Sequence, residues 1–233
     1  MFTDAPCANG RRFEQNSEHH IMLMKNLLII GARGWGREVL WKFKNHPCRT
    51  DLNIKGFLDD DIYILDGLRG EFPPIVSSVE EYEIQPEDVF FCALGDSEAR
   101  KKYVDIIESK GGHFISYISP QASVYPNAII GNGSYIAANT VISDNVTVGK
   151  HTVIHSMSIL GHDVKIGDFV SIEAYSFFGG YAEVGDFSSI HVRSTILRHK
   201  KVGSHVSVGA ASVVIRNVKD NLHVFGNPAK RID

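Results

Sequence analysis

The stretch Ile154-His155-Ser156-Met157-Ser158-Ile159-Leu160-Gly161-His162-Asp163-Val164-Lys165-Ile166-Gly167 decides the fold, because a core-type apolar residue returns every sixth place. Carried outward, the register runs from Ile118 through Val124, Ile130, Ile136, Ile142, Val148, Ile154, Leu160, Ile166, Ile172, Phe178, Val184, Ile190, Ile196, Val202 and Val208 to Val214 without a slip. Four places after each apolar residue stands mostly a small residue or Val, as at Ala128, Ser134, Thr140, Val146 and Thr152, with Lys200 the exception. Gly often follows the apolar position directly, as at Gly131, Gly149, Gly167, Gly179, Gly185 and Gly203.

A period of six matches neither an amphipathic helix nor a two-residue strand alternation. It matches a short strand and a turn, repeated, with one large side chain per side pointing inward. Three sides close a triangular coil, and coils stack through backbone hydrogen bonds roughly 4.8 Å apart. Each buried Ile or Val contributes roughly 1.5–3 kcal/mol, and the ladder of them stabilises a solenoid. The small residue is expected to fit the tight corner, and the Gly to relieve a strained backbone there. The expected fold of this half is a parallel β-helix.

The pattern resembles the hexapeptide-repeat acyltransferases, which form left-handed β-helices. The handedness comes from that resemblance, since the general crossover rule favours the right hand. The resemblance also implies a homotrimer with acyl-coenzyme A in the groove between neighbouring prisms.

The composition bounds the partners. The chain has 233 residues, 43% hydrophobic and 22% charged, with a formal net charge of -3. That charge argues against general nucleic-acid binding. No apolar run is long enough to cross a bilayer, and no secretory signal is recognisable, so no membrane insertion and a cytoplasmic location are expected. Cys7, Cys48 and Cys92 are scattered and odd in number, and read as free thiols rather than a zinc site.

Residues 1–23 are polar and aperiodic and read as a disordered leader. The apolar run Asn26-Leu27-Leu28-Ile29-Ile30 then reads as a strand, followed by the turn Gly31-Ala32-Arg33-Gly34-Trp35-Gly36 and an amphipathic helix through Val39, Leu40 and Phe43. A second strand, Ile54 to Leu58, ends in Asp59-Asp60-Asp61. This is the first half of a nucleotide-binding βαβ unit. The glycines admit backbone N–H groups to a phosphate at the helix N-terminus, and an acid after the second strand accepts from a ribose or base. The glycine spacing is G-x-x-G-x-G, not the dinucleotide pattern, and the chain leaves no room for a second mononucleotide half. Pro73 to Tyr82 reads as a loop and a short helix, Val89 to Leu94 as a strand, Ala99 to Lys110 as a helix, and Phe114 to Ile118 as a strand running into the first repeat. The domains expected are thus 24–116, a small Rossmann-like α/β nucleotide-sugar-binding domain, and 117–233, a left-handed β-helix acyltransferase domain.

The G-A-x-G-x-G turn, the acid pair, the segment Ala93-Leu94-Gly95 with Arg100-Lys101-Lys102, the β-helix and the ending Gly226-Asn227-Pro228-Ala229-Lys230 together resemble the nucleotide-sugar and sialic acid acetyltransferases of the NeuD/PglD type. The resemblance implies transfer of acetyl from acetyl-CoA to the amino group of a nucleotide-linked sugar in surface polysaccharide or glycan biosynthesis. Two alternatives stand beside it: O-acetylation of a sugar or sialic acid, and a non-catalytic β-helix that only binds a sugar nucleotide. His162 and Asp163 match the family's catalytic His-acid pair, and an imidazole, titrating near neutral pH, suits removal of a nucleophile's proton. By the same resemblance Gly180, His191, Val192 and Ala210 meet the coenzyme, while Gly31, Gly34, Gly36, Asp59 and Asp60 meet the nucleotide sugar. The chain departs from the family at Ser171, where a second histidine can stand, and at His155, where Asn is frequent. No metal is expected: His162, His191 and His199 would have to converge, as in trimeric hexapeptide carbonic anhydrases, and they lack a closing ligand set.

Overall fold

The computed structural model describes residues 24–232; the expected leader, 1–23, lies outside the described residues. The chain divides into two compact units, one of residues 24–94 and 102–114, the other of 95–101 and 115–232.

The first unit is built on a parallel sheet. Its strands are β1 (Lys25–Ile30), β2 (Leu52–Leu58), β3 (Ile75–Ser77) and β4 (Asp88–Cys92), in the order β3-β2-β1-β4. Leu27 to Ile30 are fully buried, as a central parallel strand requires. Helix α1 (Gly34–Lys44) buries Gly36, Val39, Leu40 and Phe43 on one face, the four-residue stripe of an amphipathic helix. Helix α2 spans Ser97–Ser109. The stretch expected to hold a short helix carries β3 instead, paired to β2. Pro73-Pro74 cannot donate to a helix, and the β-branched Ile75-Val76 suit an edge strand. Behind β4 the carboxylate of Asp88, fully buried, accepts from Lys55 Nζ at 2.8 Å, Tyr82 Oη at 2.5 Å and the Gln85 N–H at 2.8 Å. Cys92 is buried and in no disulfide.

The second unit is the β-helix. Its strands, mostly of two residues, fall in turn on three sheets that are parallel but for the closing pair His223–Phe225 and Lys230–Arg231. The first sheet carries core residues Ile136, Ile154, Ile172, Ile190 and Val208, the second Ile142, Leu160, Phe178, Ile196 and Val214, and the third Val148, Ile166, Val184 and Val202. Strands pair in register with those eighteen residues on, as Leu160 with Phe178, up to the last coil, where the offset is sixteen, as Val208 with Val224. The sixth-residue ladder is the core, and from Ile136 to Val214 it is at most 3% exposed. The small residue four places on is buried as well, and where it is Ser or Thr its hydroxyl joins two coils. Ser134 Oγ donates to the Gly149 carbonyl at 2.8 Å and accepts the Thr152 N–H at 3.1 Å.

The expected role of the glycines is corrected. The glycines that follow core residues are not left-handed; that conformation falls two places later, on non-glycine residues with φ of 52–64° from Asn139 to Ala211. The corner residue's N–H is held by a carbonyl one coil back, as His151 to Asn132 at 2.9 Å, which offsets the steric cost of roughly 1–2 kcal/mol. The glycines are needed because coils approach closely: a Cβ on Gly149 would lie 2.4 Å from the Gly167 backbone. The first turn of α2 also packs in this unit, where buried Arg100 donates to the carbonyls of His151 at 2.9 Å and Phe169 at 3.0 Å.

Candidate active site

His162 stands two places after core Leu160, at the edge where the chain passes from the second sheet to the third. Its side chain is 59% exposed. Nδ1 lies 2.8 Å from Asp163 Oδ2, and Asp163 itself occupies the left-handed corner, φ 61°. That backbone turn is what brings adjacent side chains to the same side. The other carboxylate oxygen, Oδ1, accepts from Asn145 Nδ2 at 2.6 Å. The hydrogen bonds from His162 and Asn145, in that order, hold the Asp163 carboxyl below the usual carboxylate range. Tyr181, eighteen residues on, meets the His162 ring edge-on at 5.1 Å and stacks on His199 at 4.9 Å.

Gly180 lies against the other side of the imidazole. A Cβ there would fall 2.7 Å from both His162 Cε1 and Nε2. With Asp163 bound at Nδ1, Nε2 is left as the ring's acceptor. Along the same edge, Arg198 and Arg216 repeat the His162 position two and three coils on, roughly 10 and 14 Å away by the usual strand spacing, and both are exposed.

His191, Val192 and Ala210 stand elsewhere, at or beside the edge between the first and second sheets. There His191 Nδ1 meets Glu173 Oε1 at 3.0 Å, its Nε2 is 3.3 Å from Ser207 Oγ, and Glu173 Oε2 accepts the Val192 N–H at 2.9 Å. One chain therefore unites His162, Asp163 and Gly180 and keeps them apart from His191, Val192 and Ala210. Among the described residues no group of three or more His, Cys, Asp or Glu is arranged to hold a metal.

In the first unit, Gly31 has φ 90°, and a Cβ on Gly36 would collide with the Gly31 carbonyl, so the β1–α1 turn needs both glycines. Gly34 opens α1 with free space around it. Asp59 is engaged by the turn itself: Oδ2 accepts the Ala32 N–H at 2.8 Å and Oδ1 the Asp61 N–H at 3.1 Å. Asp60 Oδ2 accepts from Tyr103 Oη at 2.9 Å. Burial first, and then Asp60, push the Tyr103 phenol up to about 12. Sequence reasoning missed Asn145, Tyr181, Glu173 and Tyr103. The first three were signalled by a spacing of eighteen from a named residue; Tyr103 carried no signal.

Comparison with known proteins agrees with this architecture. Residues 26–118 match the PglD N-terminal domain family. The first unit thus carries a domain of the PglD N-terminal type. Residues 113–219 match the GMPPB C-terminal domain. A curated relative, the UDP-N-acetylbacillosamine N-acetyltransferase of Bacillus subtilis (strain 168), is 30% identical over 112 residues, 48% of this chain. That match spans 50% of the relative's length. The acetyltransferase domain of PglB from Neisseria gonorrhoeae FA1090 superposes with a TM-score of 0.76 and 26% identity over 89% of this chain and 100% of that one. PerB from Caulobacter crescentus, solved with CoA and GDP-perosamine, superposes with a TM-score of 0.81 over 90% of this chain and 98% of that one, at 23% identity. These likenesses make the β-helix of this chain a left-handed one.

Proposed function

We propose that this chain transfers acetyl from acetyl-CoA to the amino group of a nucleotide-linked sugar, in the cytoplasm, for surface polysaccharide or glycan biosynthesis. The observation that carries the reading is the His162–Asp163 dyad on an exposed edge, its Nε2 beside Gly180. His162 Nε2 takes a proton as the amine nitrogen attacks the thioester carbonyl. The tetrahedral intermediate then expels the coenzyme thiolate, which recovers the proton from the imidazolium. Asp163 holds the ring in the Nδ1–H tautomer and stabilises its charged form. Gly180 leaves room for the thioester, and the arginine row beyond it suits the coenzyme's phosphates. Gly31, Gly34, Gly36 and Asp60 of domain 24–116 are the groups proposed to hold the nucleotide sugar. Asp59 is proposed with them, and also shapes the turn that presents them.

The same reading takes the protein as a homotrimer. The second sheet exposes Ile159 and Phe177 between Met157 and Tyr175 on one edge and Tyr181 on the other, an apolar face suited to a second copy. A neighbouring copy would also bring His191, Val192 and Ala210 to the edge that carries His162. No helix among the described residues is long and apolar enough to cross a membrane. The test is acceptor-dependent release of coenzyme thiol from acetyl-CoA across a panel of nucleotide-linked amino sugars, with product mass measured. Binding of a nucleotide sugar without thiol release would reject the enzyme.

A further inference from the structure

We infer that Asn145 is a positioning residue for the proton acceptor: its side-chain amide locks Asp163 so that Asp163 fixes the tautomer and aim of His162. The inference rests on the transferase reading above. Asn145 occupies the same corner as Asp163 one coil earlier, and both are left-handed, with φ of 55° and 61°. Their side chains thus leave from equivalent backbone positions on stacked coils. The amide donates to Oδ1 at 2.6 Å while Oδ2 faces His162 Nδ1 at 2.8 Å. A carboxylate only accepts, so the amide nitrogen must face it. With each oxygen tied to a different partner, the carboxylate cannot rotate without breaking both bonds. A charged group held in this way orients an exposed imidazole that nothing buries.

The plainer role for Asn145 is that of a corner former, because Asn tolerates the left-handed region. Asn127 on the preceding coil makes a similar bond without that conformation, donating to Asp144 Oδ1 at 2.9 Å. Asp144 belongs to no His–acid pair, whereas Asp163 does. The other groups around the ring are Tyr181 edge-on to it, His199 stacked on Tyr181, Arg198 bonded to His199 Nε2 at 3.3 Å, and Asp144 one coil earlier. Of these, Tyr181 also gives the Asp163 carboxylate a side-chain hydrogen bond, a smaller influence on it than those of His162 and Asn145.

Two substitutions separate the roles in the full-length protein. Asn145→Gly keeps the corner, since Gly adopts positive φ freely, and deletes the amide. It is expected to lower kcat about tenfold, the worth of a hydrogen bond to a charged group, with both KM values unchanged. In long-range proton–nitrogen spectra of histidine-labelled protein, assigned with His162→Asn, the His162 signal is expected to move from the Nδ1–H tautomer to a mixture. Asn145→Asp fills the corner with a second carboxylate, and is expected to shift the rise of kcat/KM to higher pH as negative charge favours the protonated ring. An unchanged tautomer in Asn145→Gly overturns the proposal, whatever happens to kcat. Should Asn145→Gly fail to fold, Asn145→Asp decides, and an unshifted profile overturns it. Absence of transfer by the wild type would sink the transferase reading alone, because the tautomer is read without turnover.

Discussion

Replacing Gly180 by Ala tests the site with a single methyl group. The added Cβ would stand 2.7 Å from His162 Cε1 and Nε2, where ordinary contact begins at 3.4 Å, so the ring must withdraw by about 0.7 Å. Gly180 is not in the left-handed region, and the imidazole is 59% exposed and free to swing. The fold should therefore lose no more than about 0.5 kcal/mol, the usual range for a surface substitution. Catalysis is more sensitive: displacement of this order stretches the 2.8 Å bond to Asp163 past hydrogen-bonding range and misaims Nε2. The expected fall in kcat is roughly 10–100-fold. Thiol release measured against acetyl-CoA and against the sugar acceptor separates this from a coenzyme contact, which would raise the KM for acetyl-CoA instead. In the double variant with His162→Ala the glycine change should add almost nothing, since the group it displaces is gone. Wild-type kcat in Gly180→Ala, or full additivity in the double variant, would refute the geometry.

His162→Ala is expected to lower kcat by roughly 10²–10⁴ with circular dichroism and sedimentation unchanged, the worth of a positioned proton acceptor; sedimentation also checks the proposed trimer, and a fully active monomer would count against it. Asp88→Ala should destabilise the first unit by about 3 kcal/mol in urea melts, because it leaves Lys55 and Tyr82 without their shared carboxylate. The depressed folded value of Asp163 gives stability that is fully present above the ordinary carboxylate range and is lost as pH falls through the folded value. Melting of the wild type and Asp163→Asn should therefore converge below about pH 4. A constant difference down to pH 3 would contradict it. Tyr103→Phe frees Asp60 and should weaken nucleotide-sugar binding in calorimetry; unchanged affinity would remove Asp60 from the site.

The ladder from Ile118 to Val214 was legible because a solenoid core depends on a local period, and nothing distant is needed to see it. Handedness was not in the period and came only through likeness to known proteins. The glycines misled because one residue type answers two demands, positive φ and close approach, and only the coil-to-coil distance separates them. Pro73 to Tyr82 misled because pairing with β2 outweighed local preference. In the site, His162 and Asp163 were visible as neighbours in sequence. Asn145, Gly180 and Tyr181 surround them from other coils, and contacts across coils leave no mark within a short window. Asp59 has a second role the sequence did not show, holding its own turn through the bond from the Ala32 N–H.

The in-register stacking of strands eighteen residues apart gives this domain something like a reading frame. An insertion of six residues between Asp163 and Tyr181 would leave every core position apolar, yet turn all later coils by one face, so that His162 would no longer lie beside Gly180. An insertion of eighteen would return Arg198 and Arg216 to the same edge, displaced by about 4.8 Å along the axis. The fold tolerates length changes in steps of six, and the edge alignment only in steps of eighteen. The distance from His162 to the arginine row then behaves as a ruler graduated in whole coils, which can be lengthened without altering the core.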